Sequence, residues 1–276
     1  REFAQPVGIQ ILVTTYRLLV TYWRNPWYLI GKISLNLIAG LFIGSSFWNQ
    51  GQNESNAALQ NKLFSIFMAL AVSTPLAQQL QTTFIQIRTI YEARERPSKM
   101  YHWYVFLISA ALVEIPWNIF SGTILWLPWY FMTHFSYEGK HAGYSWGLYM
   151  LFQLYYTAFA QSVAAFSPNA MLASIIYSSL FTFVFLFCGV VQPPDNLPYF
   201  WRVWMFPLST FTYIVEGFIG DVLHNAPVRC TEKEFQRIFP PSGQSCAQYL
   251  GNFSMELGSK MNGIGYFRDA PDGNGC

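Results

Sequence analysis

The sequence has 276 residues, of which 53% are hydrophobic, 19% aromatic and only 11% charged, and its formal net charge is +2. A soluble domain carries about 25% charged residues, so the composition excludes a chain dissolved in water throughout. The small net charge excludes a strongly basic surface for nucleic acid, and four cysteines are too few for a disulfide scaffold.

The chain opens on Arg1 without a signal-peptide pattern and closes on Cys276 in a Gly-rich polar stretch, so both ends read as cut from a longer protein. In residues 5–24, Gln10, Thr14, Arg17, Thr21 and Arg24 recur at helical spacing and form one polar stripe on an apolar helix. That pattern predicts a helix lying in the membrane interface; a cytosolic helix packed on a soluble domain is the alternative. Asn25-Pro26 then breaks the helix and turns the chain.

A membrane-spanning helix needs about 20 mostly apolar residues. Residues 29–48, 63–84, 105–132, 143–166 and 171–191 qualify. The runs are continuous, which favours helices over the alternating strands of a barrel. Residues 200–220 are apolar too, but contain Arg202, Pro207 and Glu216. A re-entrant or interfacial hairpin after Pro193-Pro194 is expected there, with a sixth span as the alternative.

Orientation rests on three signals. Residues 86–102 hold Arg88, Arg94, Arg96 and Lys99, whereas the loops 49–60 and 133–142 share only Lys140. Positive charge marks the cytoplasmic side, which puts the N-terminus and the 86–102 loop inside. The glycosylation sequons at Asn53 and Asn252 then fall outside. So do Cys230, Cys246 and Cys276, where disulfides persist. Cys188, within the last span, reads as a small buried hydrophobe.

Four sets of residues stand out. Tyr91, Glu92, Arg94, Glu95 and Arg96 form a mixed-charge helical segment before Pro97. It reads as a docking helix for a cytosolic protein, or as a solvated loop carrying the positive-inside charge. Glu114 is the sole acid within the spans, near mid-membrane and two residues before Pro116. An intramembrane acid is either functional, with a partner expected, or a buried group that fixes helix packing. A proton relay would recruit further ionisable groups, and the sequence brings none obviously near. The second span is rich in Ser73, Thr74, Gln78, Gln79, Gln81, Thr82 and Thr83, and the fifth carries Ser174, Ser178, Ser179 and Thr182 among phenylalanines. They fit a cavity for large uncharged ligands or helix–helix hydrogen bonds. Gln78 and Gln79 point about 100° apart and cannot serve one narrow interface. No metal-binding pair, phosphate loop or nucleophile motif is present.

In order along the chain come Tyr22-Trp23-Arg24-Asn25-Pro26, Glu114-Ile115-Pro116, Ser167-Pro168-Asn169-Ala170 and Phe187-Cys188-Gly189-Val190. Leu197-Pro198-Tyr199-Phe200-Trp201, Phe211-Thr212-Tyr213 with Glu216-Gly217, and Pro240-Pro241-Ser242-Gly243-Gln244 follow. This ordered set resembles the second membrane domain of the fungal pleiotropic-drug-resistance transporters, in the ABC G subfamily. The family usually has Ser-Pro before Phe-Thr-Tyr, where this chain has Ser209-Thr210.

The resemblance implies an all-α membrane fold of the ABC G (type V exporter) kind. It has an amphipathic connecting helix at 1–28, five spans at 29–191 with the cytosolic coupling loop 86–102, and a re-entrant hairpin with a large outer loop at 192–276; the family's sixth span is missing. It implies that Tyr91–Arg96 contacts an ATPase domain, that Gln79, Thr83, Ser178 and Thr182 line a drug cavity, and that Val190 and Val191 form an outer gate. It implies no cofactor in this segment, with ATP and Mg in the full-length protein. The implied partners are the first membrane half and two nucleotide-binding domains of the same polypeptide, membrane lipid and a hydrophobic substrate, at the plasma membrane. A membrane-embedded lipid-modifying enzyme or a channel or receptor are the rival classes.

Overall fold

A computed structural model describes residues 3, 5–52, 55–135, 138–192 and 197–223. Among them the secondary structure is helical throughout. Helix α1 (Val7–Arg24) ends at Asn25, and α2 (Pro26–Ser46) starts on Pro26, where a missing N–H costs nothing. Next come α3 (Asn56–Ala71), capped by the Ser55 hydroxyl, and α4 (Ser73–Ile90), with Val72 between them. Then follow α5 (Trp103–Met132), α6 (Gly139–Phe166), α7 (Ala170–Leu186), α8 (Tyr199–Leu208) and α9 (Thr210–Leu223).

Pro26–Ser46, Ala57–Glu95 and Trp103–Met132 are long and apolar enough to cross a membrane by length and composition. Helix α6 has the length at 28 residues, but Lys140, His141, Gln153 and Gln161 lower its hydropathy. Helix α7 is apolar and shorter, at 17 residues. The expected fifth span ran to Val191; the helix instead stops at Leu186. Gly189 there has φ +86°, a left-handed backbone that a residue with a Cβ adopts only at a cost.

The bundle has a largely apolar core that also buries uncharged and charged polar groups, and its exterior is apolar. Asn36, Gln81, Glu114 and Asn118 are 0% exposed, while Leu12, Ile38, Phe42 and Leu151 are each more than 60% exposed. Water disfavours so many exposed large apolar side chains, and lipid permits them. Helices α2 and α5 run parallel and pack closest through two glycines one turn apart. A Cβ on Gly40 would lie 2.7 Å from the Leu125 carbonyl, and one on Gly44 would lie 3.0 Å from the Pro128 carbonyl. Indole groups in the core find hydroxyls: Trp126 donates to Ser145 at 3.0 Å and Trp129 to Ser65 at 2.8 Å.

Helix α9 runs antiparallel to α6. Phe211 at its start packs edge-on to Phe152 at 5.2 Å, and Asp221 near its end lies 2.7 Å from His141 Nδ1. Ten residues along α9 thus retrace eleven of α6, about 15 Å. The chain therefore leaves α9 at the same end of the bundle at which α6 begins. Helix α8 lies against the C-terminal end of α7, with Trp201 stacked on Phe187 at 5.0 Å and Ser209 donating to the Val184 carbonyl at 3.2 Å.

Candidate functional site

The segment 91–96 continues α4 without a break. Residues Tyr91–Glu95 form a single wide turn, closed by Arg96 N–H donating to the Tyr91 carbonyl at 2.9 Å. Such wide turns recur at functional sites. Tyr91 is 6% exposed and lies flat on Phe106, with ring centroids 5.1 Å apart. This anchor leaves Glu92, Ala93, Arg94 and Arg96 facing solvent.

Glu95 turns the other way, onto α1. The Arg17 guanidinium pairs with both Glu95 carboxylate oxygens, through Nη1 and, at 3.1 Å, through Nη2. It also donates to the Tyr101 hydroxyl at 3.2 Å, and that hydroxyl in turn donates to Glu95. Partial burial would raise the Glu95 carboxyl, but the hydrogen bonds from Arg17 and Tyr101 outweigh it and hold it below the usual range. Burial and the adjacent Glu95 push the Tyr101 phenol well up, so it stays a donor. About two turns earlier on α1, Gln10 Oε1 accepts from the His102 N–H at 3.4 Å, and the Ile11 carbonyl from the Ser109 hydroxyl at 3.3 Å.

The polar stripe of α1 is therefore split. Gln10 and Thr14 are buried, Arg17 is paired with the 95–101 segment while still partly exposed, and Thr21 and Arg24 are open. A half-open groove of about 280 Å³ lies alongside, lined by Ile9, Val13, Thr14, Arg17, Met100 and Tyr101 among others.

Deeper in the bundle, Glu114 has the partner that an intramembrane acid requires. Its carboxylate accepts from the Tyr28 hydroxyl at 2.8 Å and from Lys32 Nζ at 2.7 Å. Lys32 also donates to Asn118 Oδ1 at 2.6 Å, and Asn118 Nδ2 donates to the Thr157 hydroxyl at 2.9 Å. The expectation that no ionisable group lies near Glu114 is thus corrected. Lys32 comes from α2, and the parallel register of α2 and α5 brings it alongside. Side-chain exposure is 5% for Lys32 and 0% for Glu114, so the polar chain links α2, α5 and α6 out of reach of solvent.

The four cavity residues point in different directions. Ser178 accepts from Gln78 at 3.0 Å and ties α7 to α4, whereas Gln79 turns to the Tyr28 carbonyl of α2 at 3.1 Å. The two glutamines do serve different interfaces. Thr83 is buried and donates to its own helix at Gln79, while Thr182 is exposed and donates to Ser178 O at 2.7 Å. Helices α4 and α7 run antiparallel, so Thr82 and Thr182 lie on opposite sides of the Gln78–Ser178 contact along the bundle. Val190 is half-buried and Val191 is 55% exposed, both beyond the end of α7. Cys188 is buried, as expected of a small hydrophobe. Asn53, Asn252, Cys230, Cys246 and Cys276 lie outside the described residues.

Two features escaped the sequence reading. The Lys32–Glu114 pair joins positions that periodicity cannot match across helices. Gly40 and Gly44, by contrast, left a legible signal in their four-residue spacing within an apolar run.

A greasy helical bundle with a buried ion pair and one charged, solvent-facing turn locked to the amphipathic helix α1 is a membrane protein of the permease kind. The chain belongs to the ABC-2 type transporter family, whose model matches residues 9–222. It is 45% identical over 255 residues to the Brefeldin A resistance protein of Schizosaccharomyces pombe, covering 91% of this chain and 16% of that protein. It is 36% identical over 265 residues to the ABC multidrug transporter atrF of Aspergillus flavus, covering 96% of this chain and 17% of the relative. It is 41% identical over 256 residues to the ABC multidrug transporter MDR1 of Trichophyton interdigitale, covering 90% and 16%. The chain thus spans about a sixth of the length of these curated relatives.

Proposed function

We propose that the chain is the permease portion of an ATP-driven exporter that moves hydrophobic drugs, xenobiotics or lipids out across the plasma membrane. The observation that carries this reading is the 91–96 turn. Its base is fixed by Tyr91 and by the Arg17–Glu95–Tyr101 cluster, while Glu92, Arg94 and Arg96 face outward as a small charged surface. An ATPase domain that pushes on this surface would move α1 and α4 together. The names of the relatives support a drug as cargo.

In this reading residues 1–28 form the interfacial connecting helix, and five spans fill 29–191. Residues 192–276 return to the outer side through a re-entrant hairpin, with Asn53 and Asn252 glycosylated and Cys230, Cys246 and Cys276 available for disulfides. The antiparallel course of α9 on α6 supports an outer position for that tail. ATP and Mg belong to nucleotide-binding domains elsewhere in the polypeptide, and the segment itself makes and breaks no bonds. Substrate enters beside Gln79, Thr83, Ser178 and Thr182 and leaves past Val190 and Val191, beyond which the apolar rings of α8 lie. Alternating access is the mechanism: closure of the ATPase domains rocks the helices about the buried Lys32–Glu114 seam.

A charge exchange in the full-length transporter, expressed in a drug-sensitive yeast, tests the reading. Arg17→Glu alone is expected to abolish efflux of a fluorescent hydrophobic dye, and adding Glu95→Arg to restore it. A parent protein that exports no dye, or an Arg17→Glu variant that exports it normally, would refute the proposal.

A further inference from the structure

Arg88 occupies the last turn of α4, three residues before the wide turn begins. Its side chain leaves α4 altogether. Nη1 donates to the Ala164 carbonyl at 2.7 Å and the Ala165 carbonyl at 3.1 Å, and Nη2 donates to the Ser167 carbonyl at 2.7 Å. These are carbonyls at the C-terminal end of α6, where acceptors outnumber the helix's own N–H groups, Ala164 alone of the three accepting one, from Ser167 at 3.3 Å, and where the helix dipole favours a cation. On its other side, Nε lies 3.6 Å from Glu92 Oε1, within the wide turn. One guanidinium therefore joins the 91–95 turn to the junction of α6 and α7.

That junction is short. Ser167 follows α6 directly, and Asn169 caps α7 by accepting from Leu172 N–H at 2.8 Å. With only Pro168 between these two residues, the start of α7 cannot shift independently of Ser167. Further along, Gln78 holds Ser178 at 3.0 Å. Helix α4 thus holds α7 directly at Ser178 and, about 15 Å along α4, holds the junction that precedes α7. Gln81 of α4 donates to the Ala160 carbonyl of α6 at 3.2 Å, one turn before Ala164, and Arg88 is the α4 side chain that reaches the junction itself at Ser167.

We propose that Arg88 is a positioning residue that carries displacement of the 91–95 turn into the α6–α7 junction and thereby into α7. This rests on the exporter reading above and names the part that conveys the motion. A planar fork with several donors suits the task, because it can hold three carbonyls at once, whereas a lysine ammonium on a flexible stem is a single point charge.

The test uses the full-length transporter in membranes, with Arg88→Gln and Arg88→Lys. Three readouts are compared: basal ATP hydrolysis, drug-stimulated hydrolysis, and dye efflux per molecule of protein. A fourth follows Met171→Cys, at an exposed position in the first turn of α7, as its maleimide labelling changes when a non-hydrolysable ATP analogue is added. Hydrogen bonds from a charged donor are among the stronger ones, so losing the grip should cost about tenfold or more in coupled transport. The expected result for Arg88→Gln is basal hydrolysis within about twofold of the parent, with drug stimulation and efflux about tenfold down. The analogue-dependent change at Met171→Cys should vanish, and Arg88→Lys should be intermediate. If hydrolysis, efflux and protein amount fall in parallel while the surviving protein still shows the change at Met171→Cys, Arg88 is only a helix cap and the proposal is overturned. Should Arg88→Gln fail to accumulate, Arg88→Lys decides by the same readouts. A parent transporter without efflux would instead sink the exporter reading, and this inference with it.

Discussion

Breaking the buried pair of Lys32 and Glu114 should cost more than removing both of its members. The carboxylate and ammonium are 2.7 Å apart with side-chain exposures of 0% and 5%. Glu114→Gln leaves the ammonium with neutral acceptors only, Asn118 Oδ1 and the new amide oxygen, and no countercharge. Lys32→Met leaves the carboxylate with the Tyr28 hydroxyl. Removing one partner of a buried pair costs about 3–5 kcal/mol, whereas replacing both by apolar groups of similar volume is often neutral or better. The hydrocarbon surroundings act in the same direction, since a lone charge at a helix centre costs about 2.5–3.5 kcal/mol even on lenient scales. Each single variant of the full-length transporter should therefore lose several degrees of heat tolerance, measured as the monodisperse fraction surviving a heating series in detergent. Lys32→Met combined with Glu114→Met should melt above either Lys32→Met or Glu114→Gln. A double variant that melts below both would show that the two charges act independently and would refute the pairing.

Other substitutions probe separate contacts. Gly40→Leu puts a Cβ within 2.7 Å of the Leu125 carbonyl and 2.9 Å of Pro128 Cγ. Overpacking of that kind costs about 1–3 kcal/mol and should lower heat tolerance, whereas Gly143→Ala, with nothing within 4 Å of the new Cβ, should not. The Glu95 carboxyl is held below its ordinary value, so the stability it contributes is present above the unfolded pKa and lost only as pH falls through the folded one. Hydrogen exchange in residues 14–17 and 95–101 should thus be equally protected at pH 7 and pH 6, once corrected for intrinsic rates. Glu95→Gln should reduce that protection at both. Ser178→Phe and Thr182→Trp should change which hydrophobic compounds are exported; an unchanged resistance profile would remove these positions from the substrate path.

Much of the fold was legible because lipid imposes a simple rule on composition. Long uncharged runs predict helices, and each of the five expected spans is mostly helical, the second as two helices that meet at Val72 and the fifth only as far as Leu186. Asn25-Pro26 predicts a break, and α2 begins on Pro26. The adjacent Gln78 and Gln79 predict two interfaces, and they bond α7 and α2 respectively. Periodicity fixes which residues share a helix face, however, and not which face meets which neighbour. Lys32 and Glu114 are 82 positions apart, and only the register of α2 against α5 joins them. The stripe on α1 was visible, but its burial at Gln10 and Thr14 depends on where the 95–102 segment folds back. The end of α7 at Leu186 followed from Gly189, whose left-handed conformation an apolar run conceals.

The arrangement of the helices across the bilayer is the premise on which the transport route depends. Lys99 and Lys140 are both exposed and lie on opposite sides of it in this reading. Lys99→Cys and Lys140→Cys should be compared in intact cells with a membrane-impermeant maleimide, and labelling read at each position by peptide mass spectrometry. The expected result is reaction at Lys140→Cys in intact cells and at Lys99→Cys only after permeabilisation. Reaction at Lys99→Cys from outside, with Lys140→Cys protected, would turn the 91–96 turn away from any cytosolic ATPase and contradict the proposed function.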